Sequence, residues 1–222
     1  MKGGSGTTVV SAALALVLSR RRPTLLVDLA GDAPAALGLP EPAGPGVADW
    51  LASPTADAAA LHRLAVPATD TLALLPRGSQ APGGRWADLA VALAGATTAS
   101  ALEGTAAGPA GDAGTGAGAV VVDAGTGAPP PALLAAATHQ LLVTRPCYLA
   151  LRRAAASGLQ PSGIVLLTEP GRALTAHDVE RALGAPVVAE LAYDPTVARA
   201  VDAGLLAARL PRSLAQQLKG AA

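Results

Sequence analysis

Seven residues near the start of the chain, Lys2-Gly3-Gly4-Ser5-Gly6-Thr7-Thr8, combine what an anion site needs. Glycines let the backbone turn sharply and point successive N–H groups inward. The Ala-, Val- and Leu-rich run over 8–19 reads as a helix, so the loop opens onto the positive end of a helix. The Thr8 hydroxyl is then placed to ligate Mg²⁺, as the Ser/Thr of a phosphate-binding loop does. Two short apolar runs end in acids: Leu25-Leu26-Val27-Asp28 and Val120-Val121-Val122-Asp123. Asp123, after an apolar strand, is suited to hold a Mg²⁺-bound water. The bland alternatives are a Gly-rich tail and two polar residues that merely end strands. Against the first stand the following helix and the two-lysine composition. Lys2 and Lys219 are the chain's only lysines, so a lysine directly before Gly-Gly argues against compositional drift.

These residues sit in a chain of 222 residues, enough for one domain with a substantial core. Hydrophobic residues make up 51% of it but aromatics only 2%, with no Phe, so the core must be Leu, Val and Ala. Formal net charge is zero and no long basic run appears, so nucleic acid remains open as a partner without charge to indicate it. Arg20-Arg21-Arg22 follows the first helix and reads as favourable charge at its C-terminus. The single cysteine, Cys147, excludes an intramolecular disulfide and a cysteine metal cluster, and fits a reducing cytoplasm. No apolar run is long enough to span a membrane, and the first residues lack a signal-peptide pattern. His62, His139 and His177 are scattered, without metal-ligand spacing.

Strands are expected over 24–27, 72–75, 119–122, 140–144, 163–167 and 187–191. Helices are expected over 47–52, 56–64, 86–93, 131–137, 148–157, 176–183, 195–203 and 214–218. The segment 33–46 reads as a loop with one helical turn, and the Gly/Ala-rich stretch over 103–118 as a flexible loop. Strands alternate with helices, and the strands are continuous apolar runs, as when both faces are covered. The fold class is therefore α/β: one domain over 1–222, three layers, a mostly parallel sheet flanked by helices. Ligands of such sheets bind at the carboxyl ends of the strands, which places Asp28, Asp123 and Thr168 on the binding rim.

The opening heptad resembles the deviant Walker A motif, K-G-G-x-G-K-[S/T], of the ParA/MinD family of ATPases. Lys2 matches the family's signature lysine, Gly3, Gly4 and Gly6 its loop glycines, and Thr8 its Mg²⁺ ligand. Thr7 departs from the pattern by standing where the family has the lysine that contacts the β- and γ-phosphates. The stretch 25–32 is similar to the family's V-D-x-D segment, with Asp28 as the first acid and Ala30 in place of the second. Its D-x-x-G-D form resembles the CpaE/TadZ-like branch, which localises secretion or pilus machinery. Val120–Gly125 is similar to Walker B and switch II, and Val143-Thr144-Arg145-Pro146 to the V-T-x-P segment. Leu167-Thr168-Glu169 stands where the family carries the Asn-Arg that reads adenine, and Tyr193-Asp194-Pro195 is similar to the late segment near the base.

The resemblance implies ATP and Mg²⁺ as ligands. It implies phosphate contacts from Gly3, Gly4, Ser5, Gly6, Thr7 and Thr8, and metal contacts from Thr8 and Asp123. Lys2, Asp28 and Asp123 would be the catalytic residues, Lys2 acting across a homodimer. The implied function is an ATP-binding, dimerising positioning protein that recruits a partner protein; the alternative is a degenerate pseudo-ATPase scaffold. A dinucleotide-binding domain is a rival because Asp28 lies at the right distance, but its glycine pattern would be wrong and Lys2 and Thr8 would be idle. No G-x-S-x-G elbow appears. The short 214–219 stretch carries one charge and does not suggest membrane attachment. A phosphate loop also needs a strand feeding into it, so the first strand is expected to lie upstream of Met1. An intact mass of the native protein above that of 222 residues is the expected outcome; a mass equal to it would sink the idea.

Overall fold

The structure is a computed structural model that describes residues 6–96 and 118–222. Helix α1 (Thr7–Ser19) leads through a short turn into β1 (Thr24–Asp28). Then come α2 (Ala33–Leu37), α3 (Val47–Ala52), α4 (Ala58–Arg63), β2 (Val66–Pro67), β3 (Leu72–Leu75) and α5 (Trp86–Ala96). The chain resumes with β4 (Ala119–Asp123), α6 (Pro131–Ala136), β5 (Leu141–Thr144), α7 (Tyr148–Ala156), β6 (Gly163–Thr168), α8 (Ala176–Leu183) and β7 (Val187–Ala192). Helices α9 (Pro195–Asp202) and α10 (Arg212–Gln217) and a 3-10 turn over Leu218–Gly220 close it.

Two sheets form among the described residues, ordered β2-β3-β1-β4 and β5-β6-β7. All pairings are parallel except β2 with β3. Helix α1 lies across both sheets and joins them. Its Ala12, Ala15 and Leu16 pack with Leu26 of β1 and Leu72 and Leu74 of β3. Its Val10, Ala13 and Val17 pack with Val165 of β6 and with Ala189 and Leu191 of β7. The opposite face of the first sheet is covered by α3, α4, α5 and Leu133 of α6, around Leu25, Val27, Ala73 and Leu75. The opposite face of β6 is covered by Leu151 of α7 and Val179 of α8. The expected three-layer, mostly parallel architecture is the observed one. Among the described residues no helix is long and apolar enough to cross a membrane.

Element boundaries differ from the sequence reading by a residue or a few. The strands ending in Asp28, Asp123, Thr168 and Ala192 each run one residue further, because those residues remain in the parallel ladder. Helix α5 continues through Gly95 to Ala96, whose side chain is buried in the core. Strand β2 was not expected: two residues, one of them Pro67, carry no readable period. The loop expected over 103–118 lies, save for Gly118, outside the described residues.

Two glycines end helices in the left-handed region, Gly38 after α2 (φ 78°) and Gly184 after α8 (φ 68°). A Cβ at Gly184 would meet nothing within 4 Å, whereas one at Gly38 would overlap the Gly204 carbonyl, where α2 meets the end of α9. Gly184→Ala should therefore cost about 1 kcal/mol of conformational strain. Gly38→Ala should cost that plus about 1–3 kcal/mol of forced repacking. Urea unfolding midpoints at unchanged slope measure both; equal losses would show that the α2–α9 approach is not tight.

Candidate functional site

Helix α1 runs back from its N-terminus to the start of β1, so its N-terminus lies at the carboxyl rim of the parallel strands. Gly6 caps it with φ 74°, a left-handed conformation that suits glycine and offers no capping side chain. A Cβ at Gly6 would come within 3.1 Å of Leu167 of β6, so Gly6 sits tightly against the second sheet. Thr7 and Thr8 form the first turn and are half-buried. Lys2, Gly3, Gly4 and Ser5 lie outside the described residues.

Asp28 and Asp123 are direct partners in the β1–β4 ladder, and both are 0% exposed. Asp28 Oδ1 accepts from the N–H groups of Ala30 (3.0 Å) and Gly31 (2.6 Å), and Oδ2 from that of Ala33 (3.0 Å). It thereby shapes the loop entering α2. Asp123 Oδ1 accepts from Gly125 N–H at 3.0 Å, while its Oδ2 is buried with no hydrogen-bond partner among the described residues. The two loops touch: a Cβ at Gly125 (φ 69°) would lie 3.2 Å from Ala30 Cβ. Burial is the main cause that raises Asp28 above the ordinary aspartate range; the three backbone amides offset part of this, and the nearby Asp123 charge adds to it.

An orphaned carboxylate oxygen beside a second buried carboxylate is where a cation would be favourable. Among the described residues no cluster of three or more His, Cys, Asp or Glu could hold a metal. A carboxylate oxygen such as Asp123 Oδ2 is of the donor type that suits Mg²⁺, which keeps several waters and takes other ligands from phosphate.

The rim carries further polar groups. Arg77, in the turn after β3, lays its Cδ against the position a Cβ on Gly31 would take, at 3.3 Å. The signal for it in the sequence is an arginine just after a strand's carboxyl end, in Pro76-Arg77-Gly78. Arg145 after β5 bonds Glu169 after β6 at 2.7 Å, and Glu169 also takes Arg172 at 2.7 Å. Arg172, then Arg145, holds the Glu169 carboxyl below its ordinary range against a smaller opposing effect of burial. Thr168 bonds the Leu191 carbonyl at 3.5 Å, so it serves the β6–β7 edge.

The described architecture, with a helix N-terminus and two strand-end acids on one rim, has the P-loop ATPase fold of ParA and MinD proteins. The MinD cell division protein of Aquifex aeolicus aligns with 99% of this chain and 90% of its own at TM-score 0.69 and 16% identity. The ParA family ATPase of Chlorobium tepidum aligns over 98% and 92% at TM-score 0.64 and 20% identity. The septum site-determining protein MinD of Pyrococcus horikoshii, solved with Mg-ADP, aligns over 99% and 90% at TM-score 0.64 and 19% identity. At such identities the likeness is one of fold. The sequence matches no protein-family model and no curated protein.

Because the folded-state Asp28 titrates above its ordinary value, the native state holds a proton that the unfolded state has lost between those two values. Stability without Mg²⁺ should therefore fall as pH rises through that window. Asp123→Asn removes the like charge, so Asp28 should titrate lower and the fall should shrink. Carboxyl NMR titration with unfolding at stepped pH measures both; an unchanged Asp28 titration would show that the two acids are not coupled.

Proposed function

We propose that the chain is a nucleotide-binding positioning protein of ParA/MinD type, which takes ATP with Mg²⁺ at the carboxyl rim, dimerises and recruits a partner protein. The observation that supports it most is the buried Asp28–Asp123 pair, with one oxygen unpartnered among the described residues, on the rim where α1 begins. The Mg-ADP complex of the P. horikoshii fold neighbour supports the choice of ligand. In this reading Gly3, Gly4, Ser5, Gly6 and Thr7 offer backbone N–H groups to the phosphates. Thr8 and Asp123 hold the metal, directly or through water. Bound Mg²⁺ would neutralise charge on the phosphate oxygens. Asp28 keeps the switch-like loop folded and adds negative charge beside Asp123. Lys2 reaches the nucleotide of the second copy.

One observation favours a second reading, a scaffold that keeps the fold with little or no hydrolysis. Thr7 puts a neutral hydroxyl where the resemblance calls for a lysine, and charge-assisted bonds are roughly twice as strong as neutral ones.

Calorimetry with ATP and Mg²⁺ separates the readings. Binding in the micromolar range, about −8 kcal/mol, is the expected result; no binding would leave the scaffold. In a binding protein Lys2→Ala should abolish ATP-dependent dimerisation, seen by sedimentation, and Thr7→Lys should raise ATP turnover. Dimerisation that survives Lys2→Ala unchanged would remove the role in trans.

A further inference from the structure

The turn that closes β3 is pinned to the start of α3. Its Pro76 and Arg77 carbonyls accept the N–H groups of Val47 and Ala48, both at 2.8 Å. Asp49 Oδ2 accepts the N–H groups of Gly46 (2.8 Å) and Ser79 (3.1 Å), and Ser79 Oγ donates to Asp49 Oδ1 at 3.3 Å. Only glycine suits position 78: φ is 80°, and a Cβ there would overlap Asp49 Oδ2. The backbone of Arg77 is thereby fixed, and the Asp49 carboxylate is taken up by amides and a hydroxyl.

The Arg77 side chain reaches across to the loop after β1. Its Cδ and Nη1 lie 3.3 and 3.9 Å from the place a Cβ on Gly31 would occupy. That loop supplies the amides that hold Asp28, and its Ala30 meets Gly125 of the loop after Asp123. Strand β1 lies between β3 and β4, so the Asp123 loop, the Asp28 loop and Arg77 stand in a row along the rim. The same row adjoins the opening of α1, whose Val9 and Ala12 share a cluster with Ala33 and Ala36 of α2.

Charge sets Arg77 apart from the other arginines that follow strands on this rim. Arg145 and Arg172 share Glu169. Arg77 makes no ion pair among the described residues, although Asp32 lies in the loop that it crosses. A triphosphate with Mg²⁺ would bring further negative charge to a rim that holds two acids, and Thr7 supplies no cation to offset it.

We propose that Arg77 binds the terminal phosphate of the nucleotide and gives the site a preference for triphosphate over diphosphate. This inference rests on the nucleotide reading above. In that reading backbone N–H groups at the α1 N-terminus serve the phosphate chain. Mg²⁺ pairs with its outer phosphates, so the chain ends on the side of the two acids, which is the side Arg77 approaches. The planar guanidinium can bond two phosphate oxygens at once. Its fixed backbone lowers what ordering the side chain costs on binding.

Calorimetry with Mg²⁺ tests this by comparing ADP with the non-hydrolysable ATP analogue AMP-PNP on the wild type, Arg77→Ala and Arg77→Lys. Arg77→Ala should weaken the triphosphate about tenfold to a hundredfold, the usual worth of a hydrogen bond to a charged group, and leave ADP nearly unchanged. Arg77→Lys should recover part of the loss, because the charge returns without the fork. The side chain is exposed, so both variants should keep the wild-type urea midpoint, with ADP affinity as the internal check on folding. Equal weakening of both nucleotides, or of neither, would overturn the proposal. So would loss of dimerisation by sedimentation with the triphosphate preference kept, since Arg77 would then serve a carboxylate of the second copy. A wild type that binds both nucleotides equally well sinks this proposal alone. A wild type that binds neither sinks the nucleotide reading, and the proposal with it.

Discussion

The burial of α1 is the constraint on which the rest depends. Every residue from 12 to 19 in this helix is buried, on all sides rather than along one stripe. A helix apolar all round must be covered all round. Its alanines make the cover close: Ala12, Ala13 and Ala15 are 0% exposed and let β1, β3, β6 and β7 approach. The two sheets share no backbone hydrogen bond among the described residues, so this helix is what holds them to one another. Covering it also decides where its ends lie. The N-terminus comes to the carboxyl rim, beside the strand-end acids.

The two strand-end acids are buried and are held by backbone amides of the loops that follow them. Asp28 sits in a core of leucine and valine, where an ionised carboxylate is costly unless hydrogen bonds surround it. Three backbone amides of the following loop do this, and the same bonds order the approach to α2. Among the described residues Asp123 has one such amide and one oxygen left over. Asp123, the partner of Asp28 in the ladder, adds to the burial that lifts the Asp28 carboxyl above its ordinary range. The structural role of Asp28 and the ligand-directed role proposed for Asp123 thus follow from how many amides each loop can supply.

Much of this was legible along the chain, and what was not has identifiable reasons. The six longer parallel strands were readable because a strand covered on both faces is a continuous apolar run, as in Leu25–Val27 and Val120–Val122. Strand β2 was not, since Val66-Pro67 is too short for any period. Helix α5 is expected to end at Leu93, where a low-complexity Gly/Ala/Thr stretch begins, but burial of Ala96 carries it past Gly95. The pairing of Asp28 with Asp123 joins residues far apart in sequence through a register that no local pattern states. Arg77 was unremarked because its interest lies in which loop it touches.

By itself the sequence determined the alternation of elements, the Leu/Val/Ala core, the anion-binding character of the opening loop and the two acids that end strands. These are local properties: periodicity, backbone freedom at glycine, and a charge following an apolar run. The tertiary structure decided which strands are neighbours and, among the described residues, which carboxylate oxygen has no partner. Those depend on how one buried helix spans two surfaces, and long-range packing of that kind leaves no mark on the spacing of residues along the chain.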